Sequence, residues 1–202
     1  MKLDPKTDAL IVVDVQNDFC PGGALAVPEG EGVVPVLNRL IRQGGVLVVA
    51  TRDWHPPDHC SFQTQGGLWP VHCVAGTPGA AFHPDLDLTT SQPVIVSKAV
   101  TREREAYSDF QGTDLAATLR GRGIRRVFVG GLATDYCVKA TALDARREGL
   151  EVFLLTDAIR AINVKPGDGE AALAEMRAAG VAPITSADID LATPASSAST
   201  RG

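Results

Sequence analysis

The sequence has no Cys-x-x-Cys pair, no apolar run of about 18 residues and no cluster of basic side chains, and each absence removes a class of function. Without paired cysteines there is no disulfide framework to read, and Cys20, Cys60, Cys73 and Cys137 must be judged singly. Without a basic cluster nothing can track phosphates. The densest runs, residues 120–126 and Arg146-Arg147, read as solvated helix ends on a chain of net charge -5, so nucleic acid is not an expected partner. Aromatic residues are scarce at 5%, and the surplus of alanine and glycine over them suggests helices packed tightly on a sheet. Residues 1–8 carry charge and a proline and lead into no spanning run. Neither signal peptide nor membrane segment is expected, and a cytoplasmic location follows.

What is present is an ordinary globular composition, 45% hydrophobic and 21% charged, in 202 residues, enough for one domain with a sizeable core. Short β-branched runs recur at Ala9-Leu10-Ile11-Val12-Val13, Val46-Leu47-Val48-Val49-Ala50, Val94-Ile95-Val96, Val127-Phe128-Val129, Val152-Phe153-Leu154-Leu155 and Val181-Ala182-Pro183-Ile184. Continuous runs of this kind mark strands buried on both faces, as in a parallel sheet. Amphipathic stretches at residues 33–42, 114–122, 135–147 and 170–179 close at glycines and supply the helices. The alternation predicts a doubly wound α/β fold, whose ligands bind beyond the carboxyl ends of the strands. Residues 51–92 exceed the usual connection and read as a functional loop. Residues 1–188 are read as a single domain and residues 189–202 as a disordered tail, rich in Pro, Ala, Ser and Thr toward its end.

Chemistry-bearing residues gather at the strand ends. The first run finishes at Asp14, a candidate general base, and the third finishes at Lys98. The fourth leads through Gly130-Gly131-Leu132-Ala133-Thr134-Asp135-Tyr136 to Cys137, with Thr134 read as an N-cap and Cys137 in the first helical turn. The helix dipole and a nearby lysine are expected to lower the thiol's pKa toward neutrality, while a carboxylate takes its proton and returns it to a leaving amine. Asp14, Lys98 and Cys137 thus form a candidate triad, and the backbone N–H groups of Ala133 and Cys137 a candidate oxyanion hole.

The second run opens onto Thr51-Arg52-Asp53-Trp54-His55, where Asp53 and His55, two apart in extended chain, point to one side; His72 follows in the same loop. One carboxylate and two imidazoles suit a catalytic zinc, iron or manganese with open positions. A structural zinc on His59-Cys60 and His72-Cys73 is the competing arrangement, but adjacent ligands on one segment are geometrically awkward. His83 reads as a surface turn residue.

These motifs, together with Trp69-Pro70-Val71-His72-Cys73 and Ala106-Tyr107-Ser108-Asp109-Phe110, resemble the isochorismatase-like cysteine hydrolases, most closely their nicotinamidase/pyrazinamidase group. The resemblance runs from Asp8 to about Thr185. It implies a Rossmann-like three-layer fold, with six parallel strands flanked by helices, and a cis peptide at Leu132-Ala133. It also implies one divalent metal on Asp53, His55 and His72, zinc being expected and iron or manganese compatible with the same donors. Phe19, Leu25, Trp69 and Tyr107 match positions that line the family's ring pocket. The implied reaction converts nicotinamide, and pyrazinamide alike, to the acid and ammonia through a thioester, in NAD salvage. His59 has the spacing of members that do not use it as a ligand, and Cys20, Cys60 and Cys73 carry no assigned role. The implied partner is a small aromatic amide, and a homo-oligomer is compatible with this reading. The alternatives are a cysteine amidase of the same fold acting on an N-carbamoyl or other small amide, or a noncatalytic binding module. The first strand is not followed by the Gly-x-Gly-x-x-Gly that dinucleotide binding would require.

Overall fold

The computed structural model describes residues 1–191, so most of the expected tail lies outside the described residues. Six strands, β1 (Asp8–Val13), β2 (Leu47–Asp53), β3 (Val94–Lys98), β4 (Arg126–Leu132), β5 (Glu151–Arg160) and β6 (Ala182–Ile184), form one sheet in the order β3-β2-β1-β4-β5-β6. Every pairing is parallel, as the β-branched runs predict. Helices α1 (Val34–Gln43), α2 (Leu115–Gly121), α3 (Lys139–Arg147) and α4 (Asp168–Ala178) cover the two faces. The chain stays packed past the expected boundary at residue 188: Ile189 is buried and the Asp190 N–H donates to Met1 O.

Alternation along β1 divides the core. Leu10 and Val12 pack with Leu37 and Leu40 of α1 and with Phe128, whereas Ala9, Ile11 and Val13 pack with Leu115 and Leu119 of α2 and Ala142 of α3. Because both faces are covered, the buried charged groups of β1, β2 and β3, Asp8, Asp14, Asp53 and Lys98, lie at the strand ends or directly past them. The order reverses between β1 and β4, opening a crevice at their carboxyl ends.

Two elements depart from the sequence pattern. β5 runs on to Arg160, because its pairing with β4 shifts register between Val129 and Gly131 and extra β5 residues loop past. Within that stretch Thr156 donates to Ile184 O and Asp157 accepts from the Ser186 N–H, so these polar residues bind β6 and its exit rather than ending the strand. Thr134 does not cap α3. Ala133 stands at the cap position without a side-chain bond, Thr134–Val138 form a π turn, and α3 begins only at Lys139.

The crevice depends on a close backbone approach. Gly131 pairs with Val13, and a Cβ on it would lie 2.0 Å from Val13 O at a φ of +130°, which only glycine adopts freely. Gly131→Ala is expected to cost about 3 kcal/mol or more, roughly 6–12 °C in Tm for a chain this size. A thermal melt within a degree of the wild type would refute this.

Candidate active site

Asp14 leaves β1 with φ 48°, a left-handed backbone that turns its carboxylate back into the crevice. Thr51 of β2 fixes it there: the Asp14 N–H donates to Thr51 Oγ1 at 3.2 Å, and the Thr51 hydroxyl donates to Asp14 Oδ1 at 2.9 Å. Lys98, at the end of β3, reaches across and is wholly buried. Its ammonium donates to Asp14 Oδ2 and, at 2.6 Å, to Asp53 Oδ1. A third carboxyl group, that of Asp109, lies 3.8 Å away. Cys137 Sγ completes the cluster, within 4.8 Å of carboxylate oxygens of both Asp14 and Asp53. The three residues read from the strand ends therefore do meet.

The thiol's acidity runs opposite to the sequence expectation. Burial raises the Cys137 pKa well above the ordinary value, and Asp14, Asp53 and Asp109 together oppose the lowering effect of Lys98. The resting side chain is thus a thiol that needs a base. Burial also raises Asp14, tempered by Lys98, which makes it a better proton acceptor than an ordinary carboxylate. Burial works against charge on Asp53 as well, but Lys98 and His55 beside it hold that carboxyl well below the usual range. Lys98, paired with both acids despite its burial, stays charged well beyond its normal pKa.

Asp53 joins this cluster to a second one. Its Oδ2 lies 3.6 Å from His55 Nε2, and ligand atoms of Asp53, His55 and His72 all fall within 4.8 Å of one another. His55 Nδ1 is engaged with Ala99 O at 3.2 Å and His72 Nδ1 with Pro70 O at 2.8 Å, which fixes each ring with Nε2 turned inward. His55 Nε2 is buried with no hydrogen-bond partner, an orphaned acceptor that fits a metal ligand. Burial lowers the His72 pKa, favouring the neutral imidazole that ligation needs. Asp53, His55 and His72 could therefore hold a divalent metal. His59 stands apart, stacked on His55 with centroids 4.2 Å apart, its nitrogens engaged by Ser61 Oγ and Arg104 O. All four cysteines are free thiols, and Cys60 and Cys73 join neither cluster.

Both clusters open into one small cavity. Cys137, Asp53 and His72 line it, and so do Phe19, Leu25, Trp69 and Tyr107, the four residues matched by resemblance. Trp69 Nε1 donates to Tyr107 Oη at 3.0 Å, and Tyr136 packs edge-on against Trp69, so three rings form one wall. The Leu132–Ala133 peptide is cis, as the resemblance implies.

Sequence reading missed Tyr136, Gln16, Thr51 and Asp109 as site residues. Tyr136 directly precedes Cys137 and was within reach of that motif. Gln16 is buried two residues after Asp14; its amide donates to Asp53 O and accepts from the Asp53 N–H, both at 2.8 Å, clamping that residue from its backbone. No periodicity signals such a clamp.

Lys98→Met would leave two carboxylates facing each other without a cation. The expected loss of stability is about 3–5 kcal/mol near neutral pH. Asp14 and Asp53 would then bind protons more tightly folded than unfolded, so the loss should shrink as pH falls toward about 4. Urea unfolding at both pH values checks this, and an equal loss at each would refute it.

Related proteins share this arrangement of strands. A nicotinamidase of Escherichia coli is 43% identical over 204 residues, covering 89% of this chain and 95% of the relative. A pyrazinamidase of Pyrococcus horikoshii, solved in complex with zinc, aligns at 55% identity with a TM-score of 0.83, over 88% of this chain and 98% of its own. PnC1 from L. infantum, solved in complex with nicotinate, aligns at 40% identity with a TM-score of 0.90, over 94% and 98%. The isochorismatase domain matches residues 8–188, from the first residue of β1 to beyond β6, and the chain belongs to that family.

Proposed function

We propose that this protein is a nicotinamidase, hydrolysing nicotinamide to nicotinate and ammonia with Cys137 as nucleophile. One observation carries the reading: the Cys137 thiol and two of the three metal-ligand candidates, Asp53 and His72, line a single aromatic-walled cavity, with Asp14 grouped against the thiol and His55 against Asp53 and His72. A flat ring bearing an amide at one edge and a ring nitrogen at another can address both ends of that cavity. The same reading takes residues 1–188 as one hydrolase domain acting in NAD salvage in the cytoplasm, on pyrazinamide as well as nicotinamide. Among the described residues no helix is long and apolar enough to cross a membrane.

Asp14 takes the proton from Cys137 as sulfur attacks the amide carbonyl. Backbone N–H groups of Ala133 and Cys137, at the π turn, hold the developing oxyanion. The proton passes to the nitrogen, the C–N bond breaks and ammonia leaves a thioester. Asp14 then takes a proton from water, whose oxygen attacks the thioester; sulfur departs, recovers the proton, and the acid is released. Lys98 keeps the Asp14 carboxylate oriented and offsets the negative charge carried by sulfur. Asp53, His55 and His72 would hold the metal, zinc being expected, which supplies Lewis acidity and open positions suited to a ring nitrogen. Trp69, Tyr107 and Phe19 would keep the ring flat in the slot.

Purified protein should release ammonia from nicotinamide, and Cys137→Ala should lower kcat by about 10⁴-fold or more while the fold persists. Ordinary turnover by that variant would sink the assignment. Stripping metal with a chelator should depress turnover, and added zinc should restore it. Full activity in metal-free protein would favour the N-carbamoyl amidase reading.

A further inference from the structure

The third carboxyl beside Lys98 has no part in the steps above. Asp109 lies between β3 and α2 and is fully buried. Its backbone N–H donates to Thr141 Oγ1 of α3 at 3.0 Å, which anchors it, yet neither carboxyl oxygen has a hydrogen-bond partner. Around it stand Asp14 from β1, Thr51 from β2, Lys98 from β3, Cys137 from the π turn and Thr141 from α3. The Thr51 and Thr141 hydroxyls come near without reaching hydrogen-bonding geometry. Among the described residues Lys98 is the one cation within 4.0 Å, and its distance of 3.8 Å is too long for a hydrogen bond.

That ammonium already donates to two carboxylates. An ionised Asp109 would put three anions on one cation in a dry interior, with no donor of its own, and a buried carboxyl in that position keeps its proton. We propose that Asp109 is a positioning residue carried as the neutral acid, and that its ionisation sets the upper pH limit of the thiol's chemistry by competing for the charge on Lys98. Burial, reinforced by Asp14, indeed holds its proton well beyond the ordinary carboxyl range. In the neutral form Lys98 is left to Asp14, Asp53 and the sulfur. Once the proton is lost to solvent, the new anion pulls on the same ammonium and disfavours a thiolate at Cys137. The functional half of this inference rests on Cys137 being the nucleophile.

Asp109→Asn, of nearly the same shape but unable to ionise, tests both halves in protein of matched metal content. At about pH 4 an acid that is protonated folded and about half protonated unfolded costs little. Toward about pH 7 the unfolded chain releases that proton and the folded chain does not, so the wild type loses stability that the variant keeps. The Tm difference in favour of D109N should therefore widen by several degrees as pH rises. A variant less stable than wild type near neutrality, as expected if a carboxylate pairs with Lys98, or a difference that does not change with pH, would overturn the neutral assignment. Alkylation of Cys137 by iodoacetamide, followed by mass spectrometry across the alkaline range, should reach a given rate about one pH unit lower in D109N. Superimposable profiles would overturn the competition for Lys98. Neither measurement needs amide turnover, so a failure to hydrolyse nicotinamide would count against the proposed function and not against Asp109.

Discussion

The ammonium of Lys98, removed from water and held between Asp14 and Asp53, is the interaction to which the other site features answer. A charge in that position is tolerable only where several strand ends deliver anions to one point, and a parallel sheet with both faces covered does this at its carboxyl edge. Asp14 arrives from β1, Asp53 from β2 and Lys98 from β3, three adjacent strands. Because Asp53 also faces His55 through its other oxygen, the acid–base cluster and the metal-ligand group share a residue. Gln16, whose amide also donates to Ala80 O, clamps that shared residue through its backbone.

Left-handed backbone recurs where side chains must turn into the crevice. Asp14 itself, Ala99 directly after Lys98 and Cys73 directly after His72 all have positive φ. None is a glycine, so each conformation is maintained by its surroundings: Asp14 by Thr51, Cys73 by the Asp18 carboxylate accepting its N–H at 2.7 Å. The rigidity of the site thus comes from the loops' hydrogen bonds as well as from the sheet.

Much of this was legible in the sequence because strands buried on both faces leave an unmistakable trace and end where the first charged residue stands. Asp14 and Lys98 lie one or two residues past such runs, and the glycines after Val129 lead directly to Cys137. What stayed hidden depends on three-dimensional crowding. The thiol's raised pKa follows first from its burial and then from the acidic groups crowded around one ammonium, and Asp109, from a motif notable for its aromatic neighbours, is the unforeseen member of that group. The π turn at Thr134–Val138 was hidden too, since Thr134 is an ordinary N-cap residue and only the Val138 N–H to Ala133 O bond reveals the wider turn. β5 was cut short in the reading because Thr156 and Asp157 look like a strand's end until β6 is beside them.

The sequence distances within the Lys98 cluster carry a consequence for how the chain assembles. Lys98 meets Asp53 across 45 residues and Asp14 across 84, so neither partner is available through local structure. Until β1, β2 and β3 lie side by side, the ammonium has nothing to exchange for its water. Dehydrating it is therefore a late event, after the long loop between β2 and β3 has closed, at an entropy cost that rises only slowly with loop length. A chain stalled before that point would keep the β3 edge of its sheet wet and β3 undocked, while β1, β4 and β5, which do not depend on Lys98 to join, could already be in place.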